Sequence, residues 1–241
     1  FHEQKALVVW DNFESTLEAF QEGEDELTSF SAAERLELQA LYRDLTGEKP
    51  EGRLLVTCRP LSTGLPGIKE YALGGVKRPD SLHLLAAALD LKGISTERTG
   101  YERAEIDQLL DLLQDHPLSI ELIAPHLKTL TPEQIRTDFA SLLEKFTNLE
   151  AKEARNRGLL ASLEFSKKRL SQEAQQALPW LGWFEGGVFE RFLIDFAGLD
   201  EKEWEKVRSE LEATALLKVE DDILVGGRPY LRFHPTLSYA A

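Results

Sequence analysis

Two short apolar runs separated by a single helix signal constrain this fold most. Leu7-Val8-Val9-Trp10 is unbroken by any polar residue and stops at Asp11-Asn12, and Leu54-Leu55-Val56-Thr57 stops in the same way at Cys58-Arg59. Runs without polar alternation are what parallel strands contain when both faces are covered. Between them, Ser31-Ala32-Ala33-Glu34 has the spacing of a capping box, with Ser at N-cap and Glu at N3. Leu36, Leu38, Leu41 and Tyr42 then follow at helical spacing. Strand, helix and strand in that order predict a βαβ unit with a right-handed crossover. Open sheets of this kind gather ligands at the carboxyl ends of their strands, where Asp11 and Arg59 stand.

From Ser81 onward the texture changes. Helices are predicted over 81–91, 106–113 and 117–127, and Thr131-Pro132-Glu133-Gln134 opens another with Thr as N-cap, Pro at N1 and Gln at N3. A charged stretch from Glu150 to Arg157 leads into helices over 159–170, 173–181, 189–196 and 201–213. The last thirty residues read as a small β element: strands over 216–219, 223–225 and 230–233, with turns at Glu220-Asp221-Asp222 and Gly226-Gly227-Arg228-Pro229. The expected architecture is multidomain, α/β followed by α: a partial parallel sheet in 1–78, a helical bundle in 79–150, and a winged helix with a small β-wing in 151–241.

Composition narrows the classes of function. Lys and Arg number 28 against 42 Asp and Glu, a formal charge of −14, which disfavours nonspecific attraction to nucleic acid or anionic lipid. One cysteine, Cys58, allows no intrachain disulfide and no cysteine metal cluster. No apolar run has membrane-spanning length and Phe1-His2-Glu3-Gln4 does not begin like a signal peptide, so a soluble cytoplasmic protein is expected. The chain has no methionine, not even an initiator, and its first strand starts within a few residues of Phe1; a fragment of a longer protein is expected.

Few residues offer chemistry. Asp11, at the tip of a strand, has the placement of a carboxylate that orients the water shell of Mg²⁺ beside a nucleotide, and Glu14 lies close enough in sequence to polarise a water. Strands also end in Asp simply because Asp favours the following turn. Arg59 could reach a terminal phosphate or pair with a surface carboxylate. His116-Pro117-Leu118 opens a helix with Pro at N1, a structural choice that also suits a proline ring packed on a base. His234 leaves the last strand in Phe233-His234-Pro235. No G-x-x-x-x-G-K-[ST] phosphate loop occurs, and Gly74-Gly75-Val76-Lys77-Arg78 does not qualify as one.

Taken in order, these segments resemble the NB-ARC branch of the STAND signalling ATPases, in its bacterial form. The resemblance runs through Val8-Val9-Trp10-Asp11-Asn12-Phe13-Glu14, Leu55-Val56-Thr57-Cys58-Arg59, His116-Pro117-Leu118-Ser119, Ala161-Ser162-Leu163-Glu164-Phe165-Ser166, Trp180-Leu181-Gly182-Trp183-Phe184 and Phe233-His234-Pro235. It implies that 1–78 is the C-terminal part of a P-loop nucleotide-binding domain whose Walker A loop lies upstream. It also implies Asp11 as the Walker B carboxylate for Mg²⁺, Glu14 as the water-activating base, Arg59 as the sensor of the γ-phosphate, Pro117 as the proline packed on the nucleotide, and His234 as the histidine holding the ADP β-phosphate. Asn12 stands where the family has a second acid, Asp115-His116 where it has Gly-Leu, and Phe233 and Pro235 where it has Met and Asp. The implied function is an ADP/ATP switch inside a larger signalling protein: ADP holds it closed through His234, and exchange for ATP releases it to oligomerise or meet protein partners. Two other readings are a winged-helix DNA-binding regulator, which needs a basic recognition helix, and a degenerate module that only mediates protein contacts.

Overall fold

The computed structural model describes residues 5–16, 31–47, 52–58, 63, 65–94, 100–146, 157–184 and 186–239. The chain is mixed α/β and divides into two compact units, Phe1–Leu73 and Gly74–Ala241.

In the first unit, β1 (Leu7–Trp10) pairs in parallel with β2 (Arg53–Val56), in register from Leu7 opposite Arg53 to Trp10 opposite Val56, and α1 (Ala32–Thr46) lies between them in sequence. The predicted capping box forms: the Ser31 hydroxyl accepts from the Glu34 amide at 3.3 Å, and the Glu34 carboxylate accepts from the Ser31 amide at 2.8 Å. The Ser31 hydroxyl, which donates to the Glu34 carboxylate at 2.7 Å, and then the Ser31 amide hold that carboxyl below its ordinary range. The expectation of two-faced burial is corrected. Leu7, Val9 and Leu55 are 65%, 54% and 52% exposed, while Val8, Trp10, Leu54 and Val56 on the opposite face are half-buried. Side chains alternate across a strand, so full burial needs a layer on each side, and among the described residues the outer face has none.

In the second unit, α2 (Arg78–Leu91), α3 (Arg103–Leu112), α4 (Pro117–Ile123), α5 (Pro132–Lys145) and α6 (Arg157–Lys167) are followed by α7 (Gln172–Gly182), β3 (Gly187–Phe189), α8 (Glu190–Ala197), α9 (Glu201–Ala213), β4 (Leu217–Val225) and β5 (Arg228–Phe233). The helix predicted over 117–127 is α4 plus a 3₁₀ segment, Ala124–Lys128, because Pro125 has no N–H to continue the α ladder. The box at Thr131 and Gln134 forms as predicted.

Two differences concern the β element. The expected turn at 220–222 is absent; β4 runs through it as one strand. Glu220 pairs with Tyr230 and Leu224 with Pro229, so residues 221–223 bulge out opposite a proline that cannot donate to the ladder. The hairpin turn is Gly226-Gly227, both at positive φ (60° and 77°), as a two-residue loop matched to strand twist requires. The sheet also has a third strand not read from the sequence: the three-residue β3 adds antiparallel to β5, giving the order β3-β5-β4.

Two cores hold this unit. Leu109, Ile120, Ile135, Phe139 and Phe165 belong to one; Leu178, Leu193, Trp204, Leu211, Leu231 and Phe233 belong to the other. Each such buried side chain contributes about 2–3 kcal/mol of apolar burial. Helices α4 and α6 serve both, since Leu122 and Leu163 face the second core while Ile120 and Phe165 face the first. A buried carboxylate ties sheet to helices: Glu190, wholly inaccessible, accepts from Trp204 Nε1 and from Arg208 at 2.8 Å each and faces Arg228 at 3.4 Å. Among the described residues no helix is long and apolar enough to cross a membrane.

Candidate functional site

The turn that leads into α4 is built under strain. Gln114 and Asp115 both adopt left-handed backbone, at φ 56° and 51°, a conformation that costs non-glycine residues about 1–2 kcal/mol each. Three contacts hold it. The Val76 amide donates to the Asp115 carbonyl at 3.0 Å. Arg78 pairs with the Asp115 carboxylate at 3.1 Å and with Asp111, and donates to the Asp107 carbonyl at 2.8 Å. Gly75 lies so close that a Cβ there would stand 2.0 Å from the Gln114 carbonyl oxygen. The Gly74-Gly75 pair that fails as a phosphate loop therefore has a structural role, seating the segment that carries His116 and Pro117.

That segment meets His234. Just past β5, the His234 amide donates to the Leu216 carbonyl at 2.9 Å, which fixes the ring at the edge of α4. Its Nδ1 accepts from the Thr236 amide at 3.3 Å and lies 2.8 Å from the Thr236 hydroxyl, which is itself fully buried. With Nδ1 an acceptor, the neutral ring carries its proton on Nε2. Nε2 lies 3.8 Å from a Glu121 carboxylate oxygen, beyond hydrogen-bond reach, and is buried with no hydrogen-bond partner among the described residues. Burial, then the neighbouring His116, push the His234 pKa down to about 4, with the Leu118 carbonyl pulling weakly the other way. Burial also lowers the pKa of His116 and raises that of Glu121.

Other polar atoms at this place are left over too. Asp115 Oδ1, His116 Nδ1 and Ser119 Oγ are buried and likewise lack hydrogen-bond partners among the described residues. Buried polar atoms are nearly always satisfied, so His234 Nε2 beside the ring of His116, with two more such atoms on the same 115–119 segment, marks a place prepared for a polar ligand or water. At neutral pH this group offers an uncharged N–H donor from His234 beside a second neutral histidine.

The remaining predicted residues belong to the first unit. Asp11, exposed at the end of β1, accepts from the Thr57 hydroxyl, and that hydroxyl accepts from the Asn12 amide at 2.9 Å. Asn12 is left-handed at φ 57°, which a short amide side chain tolerates, and the Phe13 amide donates to the Thr57 carbonyl at 2.9 Å. Glu14 belongs to a 3₁₀ turn, Phe13–Thr16. Arg59 and the charged stretch from Glu150 through Asn156 lie outside the described residues. No group of three His, Cys, Asp or Glu side chains gathers in metal-binding geometry among the described residues.

The structure thus brings Pro117 and His234 to one place. Glu121, Thr236 and Gly75 join that place without having been read from the sequence. The signal for Glu121 was its position one turn past Pro117 on the same helix; for Thr236 it was the spacing of two from His234. No protein-family model matches the chain, and no curated protein matches it.

Proposed function

We propose that this chain is the core of a nucleotide-dependent switch of the NB-ARC type, with His234 as the group that distinguishes its ADP-bound state. One observation carries the reading: the His116-Pro117 segment and His234, remote in sequence, meet around buried polar atoms that lack hydrogen-bond partners among the described residues. A diphosphate oxygen suits the donors in that group, because it accepts the Nε2 proton of His234 and its charge favours protonation of both histidines; Asp115 Oδ1, an acceptor itself, is left to water. In this reading Pro117 packs against the nucleotide. Asp11 holds a mostly hydrated Mg²⁺, for which one exposed carboxylate beside the Thr57 hydroxyl is a suitable donor set. Arg59 senses the γ-phosphate and Glu14 positions water.

The order of helices α7 to α9 followed by the β4–β5 hairpin is that of a winged helix. The acidic balance of α9, with Glu201, Glu203, Glu205, Glu210 and Glu212 against Lys202, Lys206 and Arg208, supports the switch over a DNA-binding reading. A ligand shifts a conformational equilibrium only by its difference in affinity between two states, and a histidine touching ADP in the closed state alone supplies that difference. Exchange for ATP then frees the chain to oligomerise.

The test is calorimetric titration of ADP and ATP, with Mg²⁺, into the protein that carries this chain. His234→Ala is expected to weaken ADP by about tenfold or more, the worth of one charge-assisted hydrogen bond, and ATP by less. ADP affinity of the unsubstituted protein should rise as pH falls from 7.5 to 6, because the bound anion raises a histidine pKa that burial has depressed. Absence of binding by either nucleotide overturns the reading.

A further inference from the structure

A surface feature of the second unit is unrelated to the histidine site. Trp183 is 70% exposed, Phe196 56% and Trp180 42%, yet their three rings pack on one another with centroids 6.2 to 6.4 Å apart. Phe184 extends the cluster at 5.7 Å from Phe196. Contiguous exposed aromatics of this size are uncommon away from binding surfaces, where Trp and Phe are enriched.

From Trp180 a groove of about 620 Å³ runs between α7 and α9, with Ala177, Leu199 and Val207 among its apolar lining. Its charged lining is mostly acidic: Glu173, Asp200, Glu203 and Glu210 against Lys206. Glu210 is engaged by the Ser171 hydroxyl at 2.7 Å and Asp200 caps α9, but Glu173 and Glu203 have no ion-pair partner among the described residues.

Charge selects the occupant. A second copy of a chain with a formal charge of −14 would bring carboxylates to carboxylates. Anionic lipid and nucleic acid meet the same repulsion. A lysine or arginine gains from the unpaired carboxylates and from the faces of Trp180 and Trp183, to which cations are attracted. The walls also set a length: nine helical steps from Ser171 to Trp180 span about 13 Å, room for roughly nine residues of a bound helix. We propose that the α7–α9 groove and its aromatic cluster dock a short cationic amphipathic segment of a partner protein, with apolar residues on the Trp180–Trp183 cluster and cations over Glu173 and Glu203.

The experiment uses the full chain and two fluorescein-labelled probes of about eleven residues, one alternating Lys with Leu at helical spacing and the other with Glu in place of every Lys. In anisotropy titrations the Lys probe is expected to bind with a Kd on the order of micromolar, and the Glu probe not at all. Glu173→Lys/Glu203→Lys should weaken the Lys probe by about tenfold or more and Trp183→Ala by about fivefold, with circular dichroism unchanged. Reversal of an equally exposed acidic pair on β4, Asp221→Lys/Asp222→Lys, should change affinity by less than about twofold. Equal weakening by that control pair means that bulk charge alone attracts the probe, and it overturns the proposal. So does absence of Lys-probe binding, binding of the Glu probe, a Trp183-dependent dimer in sedimentation equilibrium, or Trp183-dependent uptake onto phosphatidylglycerol vesicles.

Discussion

Two buried histidines of the second unit carry the same pKa, about 4, and have opposite roles in its polar accounting. His126 is satisfied: its Nε2 lies 3.1 Å from the Ser166 hydroxyl, and its ring meets Phe165 edge-on at 5.1 Å in the first core. Burial lowers its pKa first, and the charge of Arg169, whose guanidinium lies 3.5 Å over the Phe165 ring, lowers it further. His234 has the burial without a well-formed bond: among the described residues its Nε2 proton has the Leu118 carbonyl and the Glu121 carboxylate nearby but meets neither in ordinary hydrogen-bond geometry. Depressed basicity therefore does not by itself identify a site. What separates the two is the unmade hydrogen bond, and a native fold tolerates one of those where a ligand or water completes it.

The turn beneath His234 rests on Gly75. Gly75→Ala forces a Cβ against the Gln114 carbonyl, where neither backbone can yield without moving the left-handed pair. A destabilisation of about 3 kcal/mol or more is expected in denaturant unfolding, with the surroundings of His234 altered and those of His126 retained, as histidine NMR resonances would report. A variant as stable as the parent would show that the turn is not held as described.

Acid titrates both histidines. Both folded pKa values lie below the ordinary 6.5, so the unfolded chain binds more protons between about pH 4 and 6.5, and stability is complete above that range and falls as pH drops through it. Each histidine should account for about 2 kcal/mol of lost stability by pH 5. His126→Asn and His234→Asn should each flatten one share of the profile. Saturating ADP should flatten the His234 share and leave the His126 share unchanged, since His126 is engaged with Ser166 in the first core. If ADP changed the profile of the His234→Asn protein as much as that of the parent, the assignment of the ligand to this ring would fail.

The smallest effect tests the tautomer. Thr236→Val removes the hydroxyl beside Nδ1 but keeps the backbone amide, so about 1 kcal/mol of stability should be lost. In ¹⁵N NMR the ring should remain protonated at Nε2 in the variant. A switch of the proton to Nδ1 would mean that the hydroxyl, rather than the amide, orients the donor.

Local structure was legible wherever the reason for it was local. The boxes at Ser31 and Thr131 form because an N-cap hydroxyl and an N3 carboxylate or amide lie within one turn of each other, and the hairpin turn at Gly226-Gly227 forms because those residues accept positive φ. Strand β4 was misread as two because Asp221-Asp222 resembles a turn, whereas pairing on both sides of the bulge outweighs that local preference. Strand β3 was missed because three residues carry no periodicity. The outward face of β1 and β2 was misjudged because an apolar run records what a strand tolerates, and its covering layer is a tertiary matter.

The candidate site divides along the same line. Sequence alone determined that Asp11 ends a parallel strand, that Pro117 opens a helix, that His234 leaves the last strand, and that the chain is too acidic to favour polyanions nonspecifically. Only the tertiary structure decided that His116, Pro117, Glu121 and His234 share one neighbourhood, that Thr236 places the ring proton on Nε2, and that Gly75 seats the turn beneath them. Caps and turns are satisfied within a few residues of chain. A missing hydrogen-bond partner becomes visible only when every element that could have supplied one is in place.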